Sequence, residues 1–99
     1  MNKKVTINFK NPLLKKSFDE LSEKDPLKKR IKRAIDGIKQ NPLGYGQPIG
    51  KNKIPKTYYD EGFTNAFWVD LSKSWRLIYS LTSVNEVEIL AIILEWFTR

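Results

Sequence analysis

The chain has 99 residues, with 18 lysines and arginines against 11 aspartates and glutamates, a formal charge of +7 and a pI near 9.7. It contains neither cysteine nor histidine, which removes disulfides, thiolate nucleophiles, cysteine-ligated zinc and the usual neutral-pH general base together. Any catalysis falls to lysine, arginine, tyrosine or carboxylates without a metal or other cofactor, and the charge favours a polyanionic partner such as nucleic acid or an acidic protein.

Residues 1–99 are enough for one hydrophobic core and too few for two, so a single domain is expected. The opening MNKKVTINFK lacks the apolar run of a signal peptide, and no stretch approaches the roughly 20 apolar residues of a membrane span. A cytoplasmic protein with no membrane partner is the expectation.

The first predicted element is a strand over residues 4–9, where Val5, Ile7 and Phe9 alternate with Lys4, Thr6 and Asn8. Asn11 and Pro12 then read as an N-cap with proline at the first helical position, and Leu14, Phe18 and Leu21 follow at helical spacing. Asp25 and Pro26 repeat that start signal for a second helix with an apolar stripe of Leu27, Ile31, Ala34, Ile35 and Ile38. Lys28, Lys29, Arg30, Lys32, Arg33 and Lys39 fall on the complementary arc, which predicts a helical hairpin with a basic outer face.

Asn41 and Pro42 stop the second helix, and Gly44, Gly46, Pro48, Gly50 and Pro55 predict a loop as far as Thr57. That loop carries Lys51, Lys53 and Lys56, followed by Tyr58 and Tyr59, so charge and stacking surface lie side by side. Phe67, Val69 and Leu71 alternate with Ala66, Trp68 and Asp70 in a second strand. A tight turn at residues 72–74 leads to a third, in which Trp75, Leu77, Tyr79 and Leu81 alternate with Arg76, Ile78 and Ser80. The segment 87–94, VEILAIIL, is apolar on both faces and reads as an interior strand beside the first one.

The expected fold is α+β, in the order β-α-α-β-β-β, an antiparallel sheet with the helical hairpin packed on one face. Arg76 is the anomaly, a lone charge in a half-buried strand. An ion pair to Asp70 or Glu88 is one explanation and a phosphate ligand is the other.

The hairpin of residues 12–41, the segment LSKSWRLIY at 71–79 and the apolar last strand ending in Glu95, Trp96 and Phe97 resemble the RelE/ParE superfamily of bacterial and archaeal toxins. The resemblance spans nearly the whole chain in element order, and the arginine-centred strand is its residue-specific part. It implies a RelE-like toxin of a type II toxin-antitoxin pair that cuts mRNA on the ribosome through the 2′-hydroxyl, without metal. The ParE-like branch instead implies an inhibitor of DNA gyrase, and a non-catalytic member would bind only its antitoxin or nucleic acid.

By that resemblance Arg76 contacts the scissile phosphate, with Lys53, Lys56 and Arg99 assisting. Lys51, Tyr58, Tyr59, Lys28 and Lys32 are expected to contact mRNA or rRNA, and Trp96 and Phe97 to dock the cognate antitoxin. Trp68 and Trp75 read as core or protein-binding surface. Asp60, Glu61 and Glu95 are the available bases, with no spacing that singles out a pair. RelE-like nucleases also carry a His, Arg or Tyr after the last strand, where this sequence has Arg99 and no tyrosine beyond Tyr79.

Overall fold

The computed structural model describes residues 3–99 as a mixed α+β fold, a five-stranded sheet with three α-helices. Strand β1 (Lys4–Phe9) leads into helices α1 (Pro12–Glu20) and α2 (Pro26–Gln40). Both helices start as the sequence predicts: Leu14 N–H donates to Asn11 Oδ1 at 2.8 Å and Leu27 N–H to Asp25 Oδ1 at 2.9 Å, each with proline at the first helical position. Then come the two-residue strand β2 (Gln47–Pro48), a short 3₁₀ turn (Lys51–Lys53), helix α3 (Lys56–Asp60) and strands β3 (Phe67–Asp70), β4 (Trp75–Asn85) and β5 (Glu88–Thr98). Among the described residues no helix is long and apolar enough to cross a membrane.

The strand order β1-β5-β4-β3-β2 puts β5 inside the sheet beside β1, as its two-sided hydrophobicity predicts. The expectation of an antiparallel sheet is corrected on one edge, because β1 pairs with β5 in parallel, Lys4 opposite Glu88 and Phe9 opposite Ile93. The long connection between these two strands, helices included, lets them run the same way.

The sheet buries both faces. Phe18, Ile31, Ala34 and Ile38 from the hairpin meet Leu77, Tyr79, Ala91 and Ile93 on one face. On the other, Ile54 and Tyr58 cover Ala66, Ile78 and Leu94. The expected loop ending at Thr57 is therefore corrected: its second half folds into the 3₁₀ turn and α3 and roofs the second face. Gly62, at φ 95°, ends α3 in a left-handed conformation that only glycine adopts without strain.

Tyr79 fastens the start of this connection to the sheet. Its ring stacks on Phe67 with centroids 5.1 Å apart, and its hydroxyl accepts from Gly46 N–H at 2.9 Å and donates to Pro42 O at 3.1 Å. Tyr79→Phe leaves one donor and one acceptor without their partner, and a loss of about 1–3 kcal/mol is expected in urea unfolding. Gly46→Ala is expected to destabilise as well, because a Cβ there would stand 2.7 Å from the Tyr79 hydroxyl oxygen.

Candidate RNA-binding cleft

Alternation along β4 sends Trp75, Leu77, Tyr79 and Leu81 into the helical side and Arg76, Ile78 and Ser80 to the opposite face. On β3 the same period brings Trp68, opposite Ile78, onto the Arg76 face. The Arg76 guanidinium lies over the Trp68 ring, 4.2 Å from its centroid, and its Nε donates to Asp70 Oδ1 at 3.1 Å. The ion pair and the phosphate reading of Arg76 are thus compatible. Asp70 takes Nε, and the two terminal nitrogens are left for a ligand. The side chain is 29% exposed, open enough to meet one.

A cleft of about 550 Å³ opens beside it, within the size range of small-molecule sites. One wall is the 48–55 connection with Pro48, Ile49, Gly50, Lys53 and Pro55, and the floor is the sheet with Trp68, Arg76, Ile78, Glu95 and Phe97. Glu95 is there because of a β-bulge. Ile78 pairs with Glu95 but Tyr79 pairs with Ile93, so Leu94 is one extra residue on β5. In a regularly alternating strand Glu95, two residues on, would share the helical side with Ile93; the bulge at Leu94 leaves Leu94 and Glu95 on the same face and turns the carboxylate into the cleft. Tyr58 O–H donates to Glu95 Oε2 from beneath and holds the carboxylate in place.

Glu95 is the one carboxylate among the residues lining the cleft, and it shares that lining with two cations, Arg76 and Lys53. None of the ion pairs among the described residues involves Lys51, Lys53 or Lys56. Their charge is uncompensated by any close carboxylate.

The other expected site residues divide. Arg99 sits outside the cleft but forms an ion pair through Nη1 with the other oxygen of Asp70 at 3.4 Å, so it shares Arg76's anchor. Lys51, Lys56 and Tyr59 are exposed on the connection, with the Tyr59 hydroxyl donating to Lys51 O at 2.7 Å. Tyr58 is not a loop residue open to bases; it is 5% exposed under the roof. Lys28 does not belong to an exposed basic face either. It is buried, its ammonium donating to the Leu21 carbonyl at 3.0 Å at the end of α1 and pairing with Glu23 at 2.8 Å. Lys32 is exposed but also pairs with Glu23, whose carboxyl is held at about 2 by the Lys28 hydrogen bond first and the Lys32 one next. Trp96 is not an exposed dock: it packs edge-on against Phe9 and Phe18 on the helical side. Phe97 alone of that pair is exposed.

No family model, curated protein or solved structure matches this chain.

Two of the tyrosines have a consequence for pH. Burial first, and then the Glu95 hydrogen bond, push the Tyr58 phenol above its ordinary value of 10.0, and burial pushes Tyr79 the same way against the Gly46 hydrogen bond. Below that value both phenols are protonated folded or unfolded, and their contribution is intact. Above it the unfolded chain gives up its protons first, so stability falls as pH rises. Urea midpoints measured on either side of pH 10.0 are expected to drop with pH, and to drop less in Tyr58→Phe.

Proposed function

We propose that this chain is a toxin of the RelE/ParE type, RelE-like in arrangement, that cleaves mRNA on the ribosome without a metal ion. The observation that carries the reading is one cleft lined by two cations and a positioned carboxylate, Arg76, Lys53 and Glu95, in a chain without histidine. Cleavage through the ribose needs a base for the 2′-hydroxyl, positive charge for the phosphorane and a proton for the departing oxygen.

In this reading Glu95 takes the 2′-hydroxyl proton and the freed oxygen attacks phosphorus. The bond to the 5′-oxygen breaks, leaving a 2′,3′-cyclic phosphate on one fragment and a 5′-hydroxyl on the other. Arg76 carries the developing phosphorane charge with its terminal nitrogens. Lys53 adds a second cation and an ammonium proton for the leaving oxygen. Arg99 and Asp70 are positioning residues, and Lys51, Lys56 and Tyr59 extend the cationic surface along the connection. A cognate antitoxin of acidic or amphipathic character covers the same face and meets exposed Phe97.

Induction of the chain in cells, followed by growth measurement and primer extension, tests the proposal. Arrest with codon-phased mRNA cuts is the expected result. Arrest without cuts, together with inhibited supercoiling in a DNA gyrase assay, would move the chain to the ParE-like branch. Absence of both would leave a module that binds antitoxin or nucleic acid only.

A further inference from the structure

We infer that the cleft selects a purine nucleotide, its base stacked on Phe97 and its 3′ phosphate on Arg76. This rests on the reading of the cleft as an RNA site and adds which nucleotide it holds. Phe97 is 38% exposed at the mouth of the cleft and stands directly opposite Arg76 in the β4–β5 ladder.

The other rings are either covered or outside the cleft. The Trp68 face is covered by the Arg76 guanidinium at 4.2 Å. Tyr58 is buried beneath the roof, and Tyr59 is outside the cleft lining. An exposed aromatic ring beside a phosphate-directed cation on a sheet face is the arrangement that stacks nucleobases.

The spacing along β5 matches the ligand. Glu95 and Phe97 share the cleft face two residues apart, about 6–7 Å along a strand, the order of one nucleotide step. A base on Phe97 therefore brings its own 2′-hydroxyl toward Glu95 and its 3′ phosphate toward Arg76. The facing wall offers Pro48, Ile49, Gly50, Lys53 and Pro55. Lys53 is the one polar side chain among them, and in the proposed mechanism it serves the leaving oxygen and not a base edge, so selection falls to stacking area, which favours purine over pyrimidine.

The test titrates the full chain by NMR with two uncleavable probes, ApU and UpU carrying a 2′-O-methyl on the first residue. ApU is expected to bind a few-fold more tightly than UpU. Phe97→Ala should bring the two to parity and Phe97→Trp should keep the difference, while Arg76→Ala weakens both alike. Equal binding by the unaltered chain, no binding of either probe, or a preference that survives Phe97→Ala would overturn the inference. Cleavage assays on ribosome-bound mRNA separate this from the wider reading. Cutting without a Phe97-dependent purine preference leaves the nuclease standing and removes the purine site. A Phe97-dependent preference without cutting does the reverse.

Discussion

Replacing Arg76 with alanine is expected to lower RNA cleavage on the order of 100-fold or more, the usual cost of removing a preorganised group from developing transition-state charge. The chain should lose some stability and remain folded. The Asp70 pair is partly exposed and worth at most about 1 kcal/mol, and the contact with Trp68 about 0.5–2 kcal/mol. Single-turnover cleavage and urea unfolding on the same preparation separate the two effects. Arg76→Lys should recover only part of the activity. An ammonium keeps the charge but cannot lie flat on Trp68, bind Asp70 through one nitrogen and present two others to a phosphate.

Glu95→Gln is expected to cost about 10²–10⁴-fold in cleavage, the range of a lost general base. The amide oxygen still accepts from Tyr58, so the side chain stays in place and only its proton affinity is lost. Tyr58→Phe removes the positioning hydrogen bond and leaves the carboxylate, so its loss of activity should be much smaller than that of Glu95→Gln. If Tyr58→Phe were instead as inactive as Glu95→Gln, the phenol and not the carboxylate would be the group that handles the proton.

Much of this architecture is legible in the residues. The caps at Asn11 and Asp25, the paired prolines and the apolar stripe of α2 place the helices, because each signal is local and depends on neighbours within one turn. Period-two alternation in β4 puts Arg76 on the face away from the hairpin. The parallel pairing of β1 is not legible, since strand direction is decided by the route of the whole chain and leaves no mark on an alternating hexapeptide.

Within the cleft, Arg76 and Lys53 are readable as cations, and the same alternation on β3 would assign Trp68 beside Arg76. Glu95 is not readable in this way. Its direction depends on the extra residue Leu94, and nothing in AIILEWF distinguishes a bulged strand from a regular one. Lys28 shows the opposite error. A lysine on the polar arc of a helix is expected in water, yet the end of α1 offers it two carbonyls and Glu23 within a short reach across the hairpin.

The most direct measurement is the chemistry of the cut ends. RNA incubated with the purified chain and ribosomes, then analysed by end-labelling, is expected to carry 5′-hydroxyl and 2′,3′-cyclic phosphate termini made by the unaltered chain and not by Arg76→Ala or Glu95→Gln. Cuts that leave 5′-phosphate and 3′-hydroxyl ends, or cuts that persist undiminished in both variants, would contradict the roles of Arg76 and Glu95 in the cleft.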